Sequence, residues 1–379
     1  MSLPVILHSG LQGAPALNCN TNGSFNALLL AGLVNGFNTQ AVSSATASGG
    51  VVTFNYASDP GFPVDYTLEV SGASNASVNG KKRVTVASGN QVSFEVAGVP
   101  DGAVGGTITT KFAPLGWTRP YSSGTTIGAY RQGGAAAHKR FLRVYDATLA
   151  STGYVYARAY ESMTAISTGV GPFPTSGEVS GNGADHLFST TTGRPWIIVG
   201  TPRAFYFCMD ISVDTSNLPV PVFVSGQAPS IAAFFFGEMD RIQKAGDTFA
   251  YYLSKSAQGY DIWGSRASTL AANTRPSMYI YGGYGGSSLS GGCDYPDPVS
   301  GNIILSDAPR ILETFNSKTG RRGQFPGMLG IDCRPVKSTS YIAPGTIYSG
   351  FPGLTGRVIL MATGNDDYVL KLNEDWGDL

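Results

Sequence analysis

Four carboxylates are the strongest candidate for a catalytic group in this sequence: Asp185, Asp210, Glu238 and Asp240. Two carboxylates that face each other across a glycosidic bond can hydrolyse it. Acidic residues near strand ends also have structural roles, since they keep turns in contact with water and pair with arginine. No local motif marks these four residues as catalytic. We therefore predict a non-enzymatic protein and assign no catalytic residue, with a glycan hydrolase that uses Asp210 and Glu238 as an alternative.

Neither the histidines nor the glycine-rich run predicts a cofactor or metal site. His8, His138 and His186 lie far apart and lack the spacing of metal ligands. No G-x-S-x-G motif is present to supply the nucleophile of a serine hydrolase. The run Tyr281–Gly286 lacks the G-x-G-x-x-G order and the following helix of a phosphate-binding loop. We predict no cofactor-binding residue and no metal ligand.

The most basic local cluster consists of Arg131, His138, Lys139, Arg140 and Arg143. If Arg140 and Arg143 share one strand, their odd spacing places them on opposite faces. That arrangement argues against a single anion-binding surface, and we expect the arginines to pair with carboxylates of a neighbouring strand or subunit.

The composition is typical of a chain with many tight turns. Among 379 residues there are 50 glycines, and 42% of the residues are hydrophobic, 11% aromatic and only 13% charged. An average protein has about 7% glycine and about 25% charged residues. Glycine supplies positive φ at turns, and many turns between short apolar runs indicate many short strands. The predicted fold class is mainly β, and the low charge suits a subunit that buries much of its surface against neighbours.

The charge balance excludes several classes of partner. The 25 basic and 25 acidic residues give a formal net charge of zero, without the basic stripe of a nucleic-acid-binding protein.

No apolar run reaches the roughly 18 residues of a membrane-spanning helix. The first ten residues also lack the cationic start of a signal peptide. We therefore expect no nucleic-acid partner and no insertion into a membrane. We also expect the protein to accumulate in the cytosol of the cell that makes it.

The chain is predicted to divide into three parts. Residues 1–40 are an N-terminal docking segment, residues 41–111 a small β-sandwich or barrel-like domain, and residues 112–379 a larger β-rich domain. In the small domain, short runs alternate apolar with polar residues between turn signals, as strands with one buried face do. These runs are Val51–Tyr56, Tyr66–Val70, Arg83–Val86 and Gln91–Val96.

The docking segment is predicted to contain one short helix. It begins at Ser24, whose hydroxyl is expected to cap it, and ends near Gly32 or Gly36. The apolar face of this helix has to be buried, either against this chain or against a neighbour.

The larger domain is predicted to contain two kinds of strand. Three nearly continuous apolar runs should be covered on both faces, and the other strands are less apolar. The apolar runs are Pro195–Gly200, Ala204–Met209 and Ile231–Phe236, and the others are Arg140–Tyr145, Tyr154–Tyr160, Arg357–Ala362 and Tyr368–Leu372. The acidic end of the chain contains Trp376, which we predict to act as an anchor.

The four cysteines are Cys19, Cys208, Cys293 and Cys333, with no C-x-x-C spacing. In a cytosolic product they are predicted to be reduced and mostly buried. A disulfide between Cys293 and Cys333 is the alternative.

Several segments resemble a family of tailed-bacteriophage virion proteins. They are Leu3–Gly13, Ala113–Tyr121, Ala159–Thr175, Gly193–Phe207 and Phe235–Glu238, and the similarity spans most of the chain. These segments are strand and turn patterns, not active-site signatures. The resemblance therefore implies a structural or tail-associated role and carries over no functional residue. Residues 41–111 also look like the small β domains that decorate phage tails and fibres.

These observations together predict a non-enzymatic virion structural protein, assembled in the cytoplasm of the host bacterium as a multimeric tail, baseplate or collar component. Its partners would be other copies of itself and other phage virion proteins. Two alternatives stay open. One is a receptor- or glycan-binding tail adhesin that contacts a host surface receptor, and the other is a capsid decoration or head-vertex protein. The assembly hypothesis predicts that deleting residues 1–40 blocks incorporation into particles and leaves a folded protein.

Overall fold

The computed structural model confirms a mainly β protein, built from antiparallel sheets with few and short helices. The structure describes residues 4–134, 139–152, 154–172, 184–187, 194–210, 231–238, 240–241, 250–256, 260–267, 305–306, 310–315, 318–324, 326–331, 347–348, 358–362, 367–373 and 376.

The strands are numbered in chain order. The first ten are β1 (Val5–His8), β2 (Phe37–Ala41), β3 (Ser44–Ser48), β4 (Val51–Asn55), β5 (Thr67–Ala73), β6 (Gly80–Arg83), β7 (Val86–Ser88), β8 (Gln91–Glu95), β9 (Gly102–Ala103) and β10 (Gly106–Phe112). The next ten are β11 (Thr118–Ser123), β12 (Ile127–Arg131), β13 (Phe141–Tyr145), β14 (Tyr154–Tyr160), β15 (Ser162–Ala165), β16 (Thr168–Val170), β17 (Ala184–Leu187), β18 (Trp196–Gly200), β19 (Ala204–Asp210) and β20 (Ile231–Glu238). The last ten are β21 (Asp240–Arg241), β22 (Ala250–Ser256), β23 (Tyr260–Ala267), β24 (Leu305–Ser306), β25 (Arg310–Phe315), β26 (Lys318–Gln324), β27 (Met328–Ile331), β28 (Ile347–Tyr348), β29 (Val358–Ala362) and β30 (Asp367–Lys371).

Residues 37–112 form two sheets whose inward residues share one hydrophobic core. The first sheet has the order β2-β10-β5-β6 and the second β7-β8-β4-β3-β9. Alternate residues of β3, β4 and β10 are buried, as strands with one inward face are, and Phe54, Leu68 and Phe112 have no exposed surface. The strands predicted at Val51, Tyr66 and Gln91 are confirmed.

The predicted strand Arg83–Val86 is wrong as a single element. β6 ends at Arg83 and β7 begins at Val86, in different sheets. Between them, the Val84 amide donates to the carbonyl of Tyr66, beside the first sheet, and the Thr85 amide donates to the carbonyl of Ser93 in the second. The chain changes sheets within these few residues, which alternation along one segment does not reveal.

The predicted N-terminal helix is confirmed, with a different cap. Helix α1 spans Ser24–Leu29, continues as a π-helix over Leu30–Asn35 and is followed by Gly36 at φ 71°. Gly23, not Ser24, occupies the N-cap position, and the Ser24 hydroxyl instead hydrogen-bonds to the preceding loop. Within the described residues, the other helical pieces are a 3-10 turn, Ala76–Val78, and helix α2, Leu149–Thr152. No helix among the described residues is long and apolar enough to cross a membrane.

The largest sheet has the order β1-β18-β19-β20-β22-β23. The prediction that its apolar strands are covered on both faces is confirmed for β18 and for Ala204–Met209 of β19, since all of these residues are buried. Phe25 of α1 packs edge-on against Phe207 of β19, with ring centroids 5.0 Å apart.

The N-terminal segment is part of this core, which bears on one expectation. All four residues of β1 are buried, and β1 pairs with β18 in the register Val5 to Gly200. The interior also contains Phe25, Leu28 and Leu29 of α1. This burial argues against the expectation that the protein folds without residues 1–40, which stays a prediction. The domain limits themselves stay a prediction, and the limit at residue 40 falls inside β2, which pairs with β10.

A five-stranded sheet of order β11-β12-β13-β14-β17 lies beside a hairpin formed by β15 and β16. Two further sheets of order β21-β26-β25 and β24-β27-β30-β29-β28 form towards the C-terminus. The strands predicted near residues 140–145, 154–160, 357–362 and 368–372 are confirmed as β13, β14, β29 and β30.

Trp376 anchors the end of the chain, as predicted. Its side chain is 4% exposed and lies edge-on to Tyr206 of β19, with ring centroids 5.3 Å apart. The indole nitrogen donates to the carbonyl of Lys371 at 2.9 Å. The C-terminal segment is thus fastened to the largest sheet.

Candidate functional site

The structure separates the two carboxylates of the hydrolase alternative. Asp210 lies opposite Ile231, the first residue of β20, and Glu238 is the last residue of that strand. Seven residues of antiparallel strand extend over about 24 Å. The two carboxylates of a glycosidase lie about 5–10 Å apart. Asp210 and Glu238 therefore do not form such a pair.

The other two acidic candidates lie in further sheets. Asp185 is opposite Tyr156 in the β14–β17 ladder, and Asp240 is opposite Gln324 in the β21–β26 ladder. Four residues that look similar in sequence are thus distributed over three sheets.

The hydrogen bonds of the His8 ring give this residue a structural role. Its Nδ1 accepts a hydrogen bond from the Gly10 amide at 3.1 Å, so Nε2 carries the proton and donates to the Tyr66 hydroxyl at 2.8 Å. This contact joins β1 to the residue that precedes β5. His186 lies in β17, whereas His138 and the run Tyr281–Gly286 lie outside the described residues. In the part of the chain that is described, no three His, Cys, Asp or Glu residues are grouped to hold a metal ion.

Two of the cysteines are buried free thiols, as predicted. Burial raises the pKa of Cys19 to about 11, against an opposing effect of Arg194, and raises the pKa of Cys208 to about 12. Thiols held in this form are poor nucleophiles. Cys293 and Cys333 lie outside the described residues.

The basic cluster is arranged differently from the prediction. Arg140 Nη1 donates to the carbonyl of Glu161 at 2.8 Å, and Arg143 Nε donates to the carbonyl of Ile166 at 2.9 Å. Both acceptors belong to the segment that contains the β15–β16 hairpin, and the prediction of opposite faces, which required both arginines to lie in one strand, does not apply. The reason is that Arg140 precedes β13, where strand alternation does not apply. These bonds are to backbone carbonyls, although we expected carboxylates.

Four side chains of β13 and β14 form what we call the arginine–tyrosine face: Arg143, Arg158, Tyr145 and Tyr156. In the antiparallel register Arg143 is directly opposite Arg158, and Tyr145 is directly opposite Tyr156. All four side chains are partly exposed, whereas Leu142, Val144, Ala157 and Ala159 on the other side of the sheet are buried in the core. The centroids of the two tyrosine rings lie 5.8 Å apart.

A second surface, which we call the assembly face, is the outer side of the sheet β7-β8-β4-β3-β9. Apart from Glu95, its side chains are uncharged, and several are linked by hydrogen bonds, for example Thr53 to Ser93 at 2.8 Å and Gln91 to Asn55 at 2.8 Å. All of these strands are described, and Glu95 is the one charged residue on the face. The face consists of Ser44, Thr46, Ser48, Val51, Thr53, Asn55, Val86, Ser88, Gln91, Ser93, Glu95 and Ala103.

Sequence reasoning did not identify either surface. Each one depends on which strands are neighbours and in which register, and no segment of the sequence carries that information. Arg158 in particular lies 15 positions from Arg143 and gains significance only through strand pairing. Comparison with protein-family models and with curated proteins finds no match.

Proposed function

We propose that this protein is a non-enzymatic bacteriophage virion structural protein, a tail, baseplate or collar component that acts by multimeric assembly. The observation that carries this proposal is the assembly face, a sheet surface with Glu95 as its one charge and with two exposed valines. Val51 is 38% and Val86 is 54% exposed. Such a surface can be buried against a second copy with little cost for removing charges from water.

The size of the face favours many weak contacts over one strong one. Five strands of up to five residues cover about 400 Å². A stable pairwise interface buries about 800 Å² on each partner. The face alone is thus too small for a tight dimer, and a ring in which each copy makes several contacts suits it better.

The segments that resemble virion proteins support a scaffold role. Leu3–Gly13, Gly193–Phe207 and Phe235–Glu238 supply β1, β18, β19 and part of β20, which are consecutive strands of one sheet. Ala113–Tyr121 joins them because the Trp117 indole donates to the carbonyl of Thr201 at 2.9 Å and its ring lies edge-on to Phe205. Four of the five resembling segments therefore pack together in one core, whereas the fifth, Ala159–Thr175, contains the β15–β16 hairpin.

Charge on the assembly face should abolish assembly without unfolding the protein. The test variant is Thr46→Lys combined with Val86→Lys, and the control is Ser122→Lys, an exposed residue of β11 in another sheet. We expect the wild type and the control to form oligomers in sedimentation velocity and to enter phage particles. The double variant should keep the thermal midpoint of the wild type and be excluded from particles.

Antibody labelling of particles separates the structural positions. Label on the tail supports the proposal, and label on the capsid would replace it with a decoration or head-vertex role. A protein that is absent from particles, and monomeric at high concentration, would overturn the assembly proposal.

A further inference from the structure

We propose that Glu95 of one copy forms an ion pair with Arg131 of the next copy, so that consecutive copies of this protein contact each other head to tail. This inference rests on the assembly proposed above and names the surface against which the assembly face packs. Glu95 is the last residue of β8 in the assembly face, whereas Arg131 is the last residue of β12 in a different sheet.

Glu95 has a carboxylate that its own chain does not neutralise. Its side chain is exposed, and within the described residues it accepts no hydrogen bond and forms no ion pair. The residue directly opposite Glu95 is Val51, which is 38% exposed. The single charge of the assembly face thus lies beside one of its two exposed valines.

Burial of the assembly face against a second copy would remove this carboxylate from water. A carboxylate buried without a partner destabilises a complex, and a paired cation offsets that cost. The assembly face has no cation of its own, because all of its strands are described and Glu95 is its one charged residue. The copy that packs on this face therefore has to supply a basic side chain.

Arg131 has the hydrogen-bonding capacity to do so. Three other members of the basic cluster, Lys139, Arg140 and Arg143, each donate to a backbone carbonyl. Arg131 makes no hydrogen bond and no ion pair in the described part of the chain, and its Nε is buried without a partner. Its charge is balanced only by the ring of Phe141, whose centroid lies 5.9 Å from Cζ.

Aromatic packing orders the surroundings of the Arg131 guanidinium. Phe141 is directly opposite Arg131 in the β12–β13 ladder, and the Tyr121 ring stacks on Phe141 with centroids 6.1 Å apart and an interplanar angle of 23°. The Tyr121 hydroxyl donates to the carbonyl of Met163 at 3.2 Å. A guanidinium that is held over a ring can bind a carboxylate through two parallel hydrogen bonds.

The two surfaces are complementary in charge. The partner of Arg131 on its other side in the sheet is Thr118, which is exposed and uncharged. Contact between this edge and the assembly face pairs one acid with one base, and such complementarity fixes the orientation of the partners. A contact between two different surfaces of identical copies repeats from copy to copy and generates a ring or a filament. This matches an assembly in which each copy makes several contacts.

Charge reversal in the full-length protein, followed by sedimentation velocity, tests the pair. In Glu95→Arg two arginines meet at every contact between copies, and in Arg131→Glu two carboxylates meet. We expect each variant alone to associate more weakly than the wild type, by roughly tenfold or more.

An equimolar mixture of the two variants should associate as tightly as the wild type. Every contact between one variant and the other joins an acid to a base again, so the mixed oligomers alternate. The double variant Glu95→Arg with Arg131→Glu should associate with itself for the same reason. Recovery in the mixture is the sharpest result, because a merely structural effect of either substitution would not be reversed by adding the other variant.

The matched controls are Asp59→Arg and Lys139→Glu, which reverse charge at exposed positions outside the proposed pair and should leave association unchanged. Thermal unfolding of each variant is measured alongside. If Arg131→Glu does not fold, Arg131→Gln replaces it, and Glu95→Arg combined with Arg131→Gln should associate more tightly than Glu95→Arg alone because the repulsion between arginines is gone.

The outcomes separate the ion pair from the assembly itself. Association of Glu95→Arg at wild-type affinity, or no association in a mixture of the two folded variants, would overturn the ion pair and leave the proposed assembly standing. A wild-type protein that stays monomeric at high concentration would overturn the assembly, and the ion pair with it.

Discussion

Asp146 accepts two hydrogen bonds from Asn26, a residue 120 positions earlier in the chain. Its Oδ2 lies 3.0 Å from the backbone nitrogen of Asn26 and its Oδ1 lies 2.9 Å from the side-chain nitrogen. The Tyr130 hydroxyl donates to the carbonyl of Asn26 at 2.9 Å, and all three residues are fully buried. This network fastens helix α1 to the sheet that contains β12 and β13.

Removal of the Asp146 carboxylate should destabilise the whole protein. Asp146→Ala leaves two buried N–H donors without an acceptor, which costs about 3 kcal/mol of unfolding free energy. Urea unfolding followed by circular dichroism measures it. The control is Asp101→Ala, since this exposed carboxylate accepts from the Gly49 amide at 2.8 Å and should cost about 1 kcal/mol or less. Equal losses in the two variants would show that the buried network contributes little.

Deletion of residues 1–9 should abolish cooperative unfolding, because it removes β1 and exposes the neighbouring strand β18. Leu7→Ala tests the same contact in a chain that can still fold. Leu7 is fully buried, so the substitution should cost about 2–4 kcal/mol. Gln12→Ala, at an exposed position in the same segment, is the control and should cost little. A deletion variant that unfolds cooperatively at the wild-type midpoint would show that the N-terminal segment is separable after all.

Lys81 should make stability depend on pH. Burial lowers the pKa of Lys81 to about 8, with Glu69 acting in the opposite direction, and its Nζ donates to the carbonyl of Leu115 at 3.1 Å. The folded protein then loses this proton near pH 8, whereas the unfolded chain keeps it until about pH 10.4. Because the unfolded state binds more protons in this window, the unfolding free energy rises with pH there, by at most about 3 kcal/mol.

Urea unfolding at pH 7, 8, 9 and 10 measures this rise. The comparison is Lys81→Met, which keeps the side-chain stem and should lack the rise. Parallel pH curves for the wild type and the variant would contradict the lowered pKa of Lys81.

Thiol titration distinguishes the states of the four cysteines. Cys19 and Cys208 are buried, and their raised pKa values leave almost no thiolate at pH 8. We therefore expect at most two thiols of the native protein to react with an aromatic disulfide reagent. In urea without reductant, four reactive thiols would indicate that Cys293 and Cys333 are reduced, and two would indicate a disulfide between them. More than two in the native protein would contradict the buried state of Cys19 or Cys208.

Much of the secondary structure was predictable because its cause is local. Alternation of apolar and polar residues predicted β4 and β8, which have one face towards the core. Continuous apolar runs predicted β18 and β19, which are covered on both faces. The anchoring of Trp376 was also predictable, since a large aromatic side chain in an acidic segment gains most by burial. In each case the polarity of a few neighbouring side chains decides whether they are exposed to water or buried in the interior.

The errors arose where distant residues decide the structure. The segment around Val84 alternates like one strand, yet its amides bond to two different sheets. Ser24 has the chemistry of a helix cap, but its hydroxyl is used by the preceding loop. Local preferences of a few tenths to about 1 kcal/mol are overridden when tertiary hydrogen bonds offer as much or more.

The sequence by itself determined the β class of this protein, its N-terminal helix and the residues that avoid water, because composition and periodicity act within a few neighbouring positions. Only the tertiary structure decided that β1 belongs to the largest sheet, that Asp210 and Glu238 lie at opposite ends of the paired strands β19 and β20, and that Arg143 is opposite Arg158. The physical reason is register. A shift of one residue in strand pairing moves every side chain to the other face, and the pairing depends on the packing of the whole core.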